Sequence, residues 1–298
     1  MPELPEVESV RRSLLPIVGS RVERATVRTR RSLVVAGDPP GGFSRARSEI
    51  KPRPVRRGTL LDGAAIQRLD RHGKQLAIVA DDGRSALIHL GMTGRVEIRD
   101  SATARTHDHV VWALSDGRRV VFNDARRFGG VWALPDAAAL RARWEALGPD
   151  ALTIDAADLR DRLKRSARPV KAALLDQTVL AGVGNIYADE SLHAARVHPA
   201  RLASSLRADA VDRLAGSIRA ILRAAVDAGG STLRDGTYSD ASGAAGSYAT
   251  RHAAYGRAGE PCRRCGAGLV SDVIAQRTSV WCPRCQRAPP AGLISPLF

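Results

Sequence analysis

A pair of CxxC motifs near the C-terminus constrains the fold of this chain more than any other feature. Cys262 and Cys265 form the first motif, and after sixteen residues Cys282 and Cys285 form the second. Four thiolates at this spacing suit tetrahedral Zn²⁺ in a closed structural site. The alternative is a redox dithiol, which requires one reactive pair in a different setting. The sequence therefore predicts one structural Zn²⁺, and it leaves no cysteine for a disulfide framework elsewhere.

The stretch around these motifs is strongly basic, as is the whole chain. Residues 251–287 contain seven arginines but only Glu260 and Asp272 as acidic residues. Over the full sequence, 46 Lys and Arg against 31 Asp and Glu give a formal net charge of +15. This excess indicates a polyanionic partner, and nucleic acid is favoured over membrane because no amphipathic basic helix stands out. No apolar run reaches membrane-spanning length. The alternative is a basic, solvated surface. With no signal-peptide pattern, the protein is expected to be soluble and intracellular.

The first eight residues, Met1 to Glu8, contain two prolines and three glutamates. Removal of Met1 would leave Pro2 with a free secondary amine, and an α-amine with a pKa near ~8 is partly unprotonated at neutral pH. Such an amine attacks an aldehydic carbon to give an iminium ion, whose charge drives elimination at neighbouring carbons. Glu3 is placed to act as a general acid. The alternative is a cap on a first helix, predicted over Val7–Ile17, because Pro and Glu both suit a helix start.

A β-rich region follows the first helix. Seven short runs rich in β-branched residues are separated by Gly and Asp turns, which predicts a sandwich or a flattened barrel. These runs are Val22–Arg28, Leu76–Ala80, Ala86–Leu90, Val96–Arg99, Val110–Leu114, Val120–Asn123 and Val131–Leu134. Residues 37–58 are rich in Gly, Pro and Arg and are interpreted as an exposed loop.

Two turns in this region carry apolar residues beside glycines or arginines. Met92 lies in the sequence HLGMTG, and Phe128 follows two arginines in DARRFGG. Exposed apolar side chains next to basic ones suit insertion into a base stack, in place of an extruded nucleotide. The alternative is that both residues cap the sandwich core.

The composition becomes helical after about residue 150. Lys171–Gln177 and Ile186–His193 are predicted helices that flank a glycine-rich turn, which would offer backbone N–H groups to a phosphate or would serve helix packing. Apolar residues at helical spacing over Val211–Val226 predict a long amphipathic helix. Residues 231–250 lack periodicity and are interpreted as a mobile loop, either a lid or a tether.

Taken in order, these stretches resemble the bacterial formamidopyrimidine-DNA glycosylases of the Fpg/Nei family, over residues 1–287. The resemblance rests on six motifs in family order: PELPEVE, HLGMTG, DARRFGG, LLDQTVLAGVGNIYADE, YGRAGEPCRRCG and WCPRCQR. The first three are similar to the purine-lesion branch rather than to the endonuclease VIII branch.

The resemblance implies an α+β fold with a β-sandwich and a helix–two-turn–helix domain that ends in a zinc finger. The expected boundaries are 1–147 for the catalytic sandwich, 150–250 for the helical DNA-binding domain and 251–287 for the zinc finger. Residues 288–298 form a C-terminal extension.

The resemblance also implies roles for individual residues. Pro2 is the Schiff-base nucleophile, Glu3 protonates the sugar ring oxygen, Lys74 assists β-elimination, and Arg277 grips phosphates and assists δ-elimination. The positions implied to contact DNA are Met92, His107, Arg126, Phe128, Lys171 and Asn185. Among these, Met92, Arg126 and Phe128 fill the gap left by the flipped nucleotide. The four cysteines are the implied zinc ligands.

The implied function is a bifunctional glycosylase and AP lyase acting on oxidised purines in double-stranded damaged DNA, as a cytoplasmic, nucleoid-associated monomer without a membrane partner. The alternatives are a relative specific for oxidised pyrimidines and a non-catalytic binder of damaged or abasic DNA; the presence of Pro2, Glu3 and Lys74 argues against the binder. Two departures concern the site: Ala125 replaces a proline, and Tyr248 replaces a phenylalanine in the 231–250 loop, which bears on which base fits.

Overall fold

The computed structural model describes residues 2–28, 33–35, 60–232, 238–288 and 290. The chain divides into two compact units, which are described separately. The first unit comprises Met1–Ala146 together with Ala228–Ser247, and the second comprises Leu147–Asp227 together with Tyr248–Phe298. The predicted loop 37–58 lies outside the described residues, as does nearly all of the predicted C-terminal extension.

The first helix, α1, spans Leu4–Ser13 and begins three residues earlier than predicted. Glu3 is its N-cap, with an extended backbone, and Pro5 occupies the first turn. Proline is tolerated there because the first N–H groups of a helix have no partner inside the helix. A 3₁₀ turn over Leu15–Ile17 follows and contains Pro16, so the predicted helix ends earlier than expected. The N-terminal motif therefore does serve as a helix start.

Two sheets form the sandwich of the first unit. One has the strand order β1-β7-β8-β6, and the other has the order β2-β9-β5-β4-β3. The strands are β1 Val22–Val27, β2 Leu33–Val35, β3 Ile66–His72, β4 Gln75–Ala80, β5 Ser85–His89, β6 Gly94–Arg99, β7 Asp108–Leu114, β8 Arg119–Asp124 and β9 Gly130–Leu134. The seven predicted strands are all present, and β2 and β3 are additional.

The core lies between the two sheets. It includes Val10 of α1, Ile78 of β4, and Trp112 and Phe122 of the four-stranded sheet. Side chains in β6 and β7 are largely alternately buried and half-exposed, because one face of each strand is turned to the core. β4 and β9 are buried along their whole length.

The full burial of β4 and β9 has a separate cause. Helix α2, Ala137–Glu145, contributes Leu140 to a second apolar cluster with Val79, Leu87 and Trp132. These strands are therefore covered on both faces, which explains why they appear in the sequence as continuous apolar runs.

The second unit is helical and ends in a hairpin. Its helices are α3 Ala156–Lys164, α4 Val170–Leu175, α5 Asn185–Ala195 and α6 Ala208–Asp227, and its strands are β10 Val270–Ile274 and β11 Arg277–Trp281. α6 buries the stripe of Val211, Leu214, Ile218 and Leu222, as its periodicity predicts. In the described part of the chain, no helix is long and apolar enough to cross a membrane.

The segment after α6 returns to the first unit, a grouping that differs from the predicted helical domain 150–250. Tyr238 and Ala241 belong to the sandwich core, and Ser231 pairs with Ser247 in an isolated bridge. Their partners are far away in sequence, so local patterning gives no sign of this packing. Residues 233–237 lie outside the described residues, and the domain boundaries stay a prediction.

Candidate active site and zinc centre

The N-terminal residues Pro2 and Glu3 are held in place by a buried carboxylate that the sequence reasoning did not single out. Glu6 is 2% exposed, and its Oε2 accepts the Glu3 backbone N–H at 2.8 Å. Its Oε1 accepts the Ser231 N–H at 2.7 Å. The chain before α1 is thus fixed to the segment after α6, within the same unit. The spacing from Glu3 to Glu6 is that of a capping box, which is a signal visible in the sequence.

Two features of that segment fit closely around Glu6. Gly230 has a φ of +86°, and a Cβ on it would lie 2.9 Å from Glu6 Oε1, so only glycine fits without displacement. The Tyr238 hydroxyl donates to the Gly229 carbonyl at 3.0 Å and lies 3.2 Å from the Glu6 carbonyl. Burial raises the pKa of Tyr238 well above its usual value, so the phenol remains a donor.

Lys74 lies in the hairpin turn between β3 and β4. His72 pairs with Gln75, and Gly73 provides the positive φ of 54° that such a tight turn requires. Lys74 is 7% exposed, which is unusual for a lysine. The adjacent strand is fixed to α1, because Arg71 donates to Glu8 Oε2 at 3.1 Å. Burial opposes ionisation of Glu8, but Arg11 and Arg71 outweigh it and lower the pKa of this carboxyl.

The structure brings Met92, Arg126 and Phe128 together on two neighbouring turns. Met92 and Phe128 are 39% and 37% exposed, so neither caps the core. The Arg126 guanidinium carbon lies 4.8 Å from the centre of the Phe128 ring.

Asp124 joins these two turns. It is fully buried, and it accepts the Thr93 hydroxyl at 2.6 Å and the Gly129 N–H at 2.7 Å. A Cβ on Gly91 would overlap the Gly129 backbone nitrogen, so the close approach of the turns requires glycine. His107 lies on a separate exposed turn before β7, in the left-handed region with a φ of 70°.

In the second unit, the four cysteines converge. Their Sγ atoms all lie within 4.8 Å of one another. Tetrahedral Zn²⁺ with Zn–S bonds of about 2.3 Å places its sulfurs about 3.8 Å apart, so the arrangement fits one zinc ion. His193 Nε2 lies 3.4 Å from Cys262 Sγ, and Gln286 accepts the Cys282 N–H at 3.0 Å. These contacts would orient the four thiolates around a bound zinc ion.

The hairpin beyond the cysteines presents Arg277 on its surface. β10 and β11 are joined by a two-residue turn, Ala275 and Gln276, whose φ angles are both positive at 53° and 58°. Asn and Gly favour such a turn, so the backbone here is strained. Arg277 follows the turn and is exposed.

Two of the predicted DNA-contacting residues contact this hairpin. Lys171 Nζ and Asn185 Nδ2 both donate to the Thr278 carbonyl at 3.0 Å. Asn185 is half-buried, but Lys171 is fully buried and its Nζ also donates to Asp189 Oδ1 at 2.6 Å. In this structure the Lys171 amine thus joins α5 to the hairpin, and its predicted contact with DNA stays a prediction.

Asp189 and Glu190 hold the finger from α5. Asp189 Oδ2 accepts the Val280 N–H at 3.1 Å, and burial raises the pKa of Asp189 to about 6 despite the charge of Lys171. Glu190 accepts three consecutive backbone N–H groups, those of residues 253–255, at 2.8–2.9 Å. The sequence reasoning missed both carboxylates because the backbone N–H groups that they accept lie more than sixty residues away.

Tyr248 is buried in the second unit rather than exposed on a loop. Its ring lies 6.0 Å from that of Tyr187 and 5.9 Å from that of His252. The replacement of phenylalanine by tyrosine thus lies in an aromatic cluster beside the segment that Glu190 anchors.

Three family models match the chain in succession. The formamidopyrimidine-DNA glycosylase N-terminal domain matches residues 1–131, the formamidopyrimidine-DNA glycosylase H2TH domain matches 147–237, and the zinc finger found in FPG and IleRS matches 259–288. A formamidopyrimidine-DNA glycosylase of Thermomicrobium roseum is 41% identical over 96% of this chain and 99% of that protein. One of Herpetosiphon aurantiacus is also 41% identical, over 96% of this chain and its own full length. The chain belongs to the formamidopyrimidine-DNA glycosylase family.

Solved structures of this family agree with the fold. The MutM (Fpg) protein of Thermus thermophilus is 37% identical and has a TM-score of 0.81, with 97% of this chain and all of that chain covered. A Lactococcus lactis Fpg mutant in complex with DNA containing Fapy-dG is 32% identical, with a TM-score of 0.81 and coverage of 96% and 100%. The predictions of the family, the α+β fold and the single zinc site are confirmed.

Proposed function

We propose that this formamidopyrimidine-DNA glycosylase family member excises oxidised purines from duplex DNA and then cleaves the strand as an AP lyase. The observation that carries the proposal is the fixed N-terminus: Pro2 and Glu3 are buried at the start of α1, tied by Glu6 to the segment after α6. The full-length match to named formamidopyrimidine-DNA glycosylases supports the substrate class.

In the proposed reaction, the Pro2 nitrogen becomes an amine when Met1 is removed, and it attacks C1′ of the damaged nucleotide. Glu3 protonates the sugar ring oxygen, the ring opens, and the bond from C1′ to the base breaks. The resulting iminium ion withdraws electrons, so loss of a C2′ proton expels the 3′ phosphate. A second elimination expels the 5′ phosphate, and hydrolysis of the imine releases Pro2.

The exposed turns of the first unit are assigned to base extrusion. A base inside a duplex is out of reach, so it leaves the stack at a cost of a few kcal/mol. Met92 and Phe128 are proposed to occupy the gap, and Arg126 is proposed to pair with the orphaned base through its planar guanidinium group. His107 and Asn185 are proposed to contact the DNA backbone, while Lys74 and Arg277 assist the eliminations.

The second unit is proposed to grip the duplex. A cavity of about 750 Å³ next to the cysteines is lined by arginines, which suits phosphate binding. They are Arg196, Arg201, Arg264, Arg284 and Arg287. Zinc bound by the four cysteines would have a structural role, fixing the finger that carries Arg277. Because one chain supplies every assigned residue, we propose a monomer, acting on nucleoid DNA in the cytoplasm.

Borohydride trapping tests the assignment of Pro2. Reduction of the imine should link wild-type protein to DNA covalently, and Pro2→Gly should trap far less. Glu3→Gln is the informative companion, because an abasic site already opens to an aldehyde. It should therefore lose base excision while still trapping abasic DNA. An active preparation whose intact mass retains Met1 contradicts the assignment.

A further inference from the structure

The outer face of the four-stranded sheet carries an arginine row that the proposed reaction does not use. Strand register places Arg24 opposite Ala113, Ala113 opposite Arg119, and Arg119 opposite Arg99. Neighbouring Trp112 is buried in the core, so Ala113 and its cross-strand partners lie on the other face. Like charges directly opposite each other destabilise a sheet. The row therefore brings no evident benefit to the fold.

A cavity of about 190 Å³ lies over this row. Arg24, Arg119 and Arg99 line it, and Arg28 joins them from the end of β1. Hydroxyl groups line the same space, from Thr26 and from the 101–104 loop, and the remaining walls are apolar side chains and the carboxylate of Asp108. Guanidinium groups and hydroxyl donors thus line the same small cavity.

Only one of the four arginines is neutralised. Arg99 donates to Glu97 at 2.7 Å and to Asp108 at 2.9 Å, which fixes its side chain. Within the part of the chain that the structure describes, the guanidinium groups of Arg24, Arg28 and Arg119 make no hydrogen bond or ion pair. Four arginines against Glu97 and Asp108 leave a local charge of +2.

The size and chemistry of the cavity define the ligand. Sites for whole drug-sized ligands occupy about 300–1,000 Å³, so this cavity suits a single group of a larger molecule. Planar guanidinium groups bind phosphate in a bidentate manner and retain their charge at all physiological pH values. We propose that this cavity is a second phosphate-binding site, separate from the lesion-binding site, for a phosphate of a second DNA segment or of a free polyphosphate.

None of the residues assigned to catalysis or to lesion recognition lines the cavity. The nearest of them in sequence is His107, which precedes Asp108. The experiment must therefore distinguish an independent phosphate-binding site from an extension of the surface that binds the lesion-containing duplex.

The test measures binding of a second DNA to protein whose lesion site is already occupied. Full-length protein is saturated with unlabelled duplex containing an abasic-site analogue, and a short, undamaged, fluorescein-labelled duplex is then titrated at low salt. We expect weak binding, with a Kd in the non-specific range of roughly 10⁻⁶–10⁻⁴ M. Arg24→Gln and Arg119→Gln should each weaken it by about tenfold, the loss of one charge-assisted contact.

Arg141→Gln is the matched control, because Arg141 is exposed in the same unit and does not line the cavity. It removes the same charge and should leave the second binding event within about twofold of wild type. Inorganic tripolyphosphate then identifies the source of the bound phosphate. If tripolyphosphate displaces the labelled duplex, the site is assigned to DNA phosphates. Tripolyphosphate binding that depends on Arg119, with no second duplex bound, assigns it to free polyphosphate.

Two results overturn the proposal. In one, Arg24→Gln and Arg119→Gln behave like Arg141→Gln with both probes. In the other, they weaken the primary lesion complex by the same factor, which makes the row part of the lesion-binding interface. Neither result bears on Schiff-base trapping by Pro2, so the proposed glycosylase function stands or fails separately.

Discussion

Glu6 in the first unit and Glu190 in the second are both buried carboxylates that accept backbone N–H groups, but their partners differ in sequence distance. Glu6 accepts one N–H from Glu3, three residues away, and one from Ser231. Glu190 accepts three N–H groups, all more than sixty residues away. Both anchor a segment with little regular structure of its own. A buried carboxyl group with good hydrogen-bond geometry replaces the sheet or helix that would otherwise satisfy that backbone.

The anchored segments have different proposed tasks. Glu6 holds the residues assigned to chemistry, whereas Glu190, Asp189 and Lys171 hold the finger assigned to DNA binding. We therefore infer that the first unit positions the reacting amine, whereas the second unit positions the finger assigned to DNA binding.

The largest effect is expected from the metal, which supports only the second unit. Cys282→Ser should abolish zinc binding, and structural zinc contributes about 10–16 kcal/mol in finger peptides. Duplex binding should be lost because the finger unfolds. Zinc content, duplex affinity and hydrogen exchange measure the outcome, and the sandwich amides should keep their protection. Ser279→Ala in the same hairpin is the control and should retain zinc.

Lys171→Met is expected to have the next largest effect. It leaves Asp189 buried without its cation, at a cost of ~3–5 kcal/mol at neutral pH. The pKa of Asp189, already raised to about 6, should rise further. An acid whose folded-state pKa exceeds its unfolded pKa of about 3.9 binds its proton more tightly when folded, so stability falls as pH rises through the folded pKa.

Urea unfolding of wild type and Lys171→Met across pH 5 to 8 measures how the stability deficit of the variant depends on pH. The deficit of Lys171→Met relative to wild type should grow with pH. The double variant Lys171→Met/Asp189→Asn has no titrating carboxyl at position 189, so its deficit should not grow with pH. A pH-independent deficit in the single variant would show that packing, rather than the buried charge, explains the loss.

Gly230→Ala tests the contact with Glu6, and Gly229→Ala is its matched control. Both positions have positive φ, so both variants incur about 1–2 kcal/mol of backbone strain. Only the Cβ at Gly230 would lie 2.9 Å from Glu6 Oε1, whereas the Cβ at Gly229 would lie 3.5 Å from its nearest neighbour. Gly230→Ala should therefore cost a further ~1–2 kcal/mol and slow Schiff-base trapping. If Gly230→Ala and Gly229→Ala have equal effects on urea unfolding and on trapping, the contact with Glu6 does not explain the loss.

The smallest effect concerns the strained turn of the finger. Gln276→Gly should stabilise the hairpin by up to ~1 kcal/mol, because glycine adopts the positive φ without strain. Gln276→Ala keeps the strain and should have no such effect. The midpoint of zinc-loaded thermal unfolding measures both variants, and destabilisation by Gln276→Gly would show that the glutamine side chain makes a compensating contact.

The sequence predicted the parts of this molecule that depend on local pattern. The CxxC spacing predicts the zinc ligands, β-branched runs predict seven of the nine sandwich strands, and periodicity predicts α6. β3 was missed because its sequence, IQRLDRH, is mostly polar. The role of Asp124 between two turns, and those of Asp189 and Glu190 under the finger, depend on partners distant in sequence. Motif resemblance identified Lys171 as important, but burial decides what its amine contacts.

The most direct test of the different roles of the two units compares Glu6→Gln with Glu190→Gln. Single-turnover borohydride trapping is measured over a range of abasic duplex concentrations. We expect Glu6→Gln to lower the trapping rate at saturating DNA with little change in Kd. We expect Glu190→Gln to raise Kd, while the rate at saturation stays near wild type. If both variants change the same parameter, or if Glu6→Gln weakens binding and keeps the saturated rate, the claim that Glu6 positions the reacting amine is contradicted.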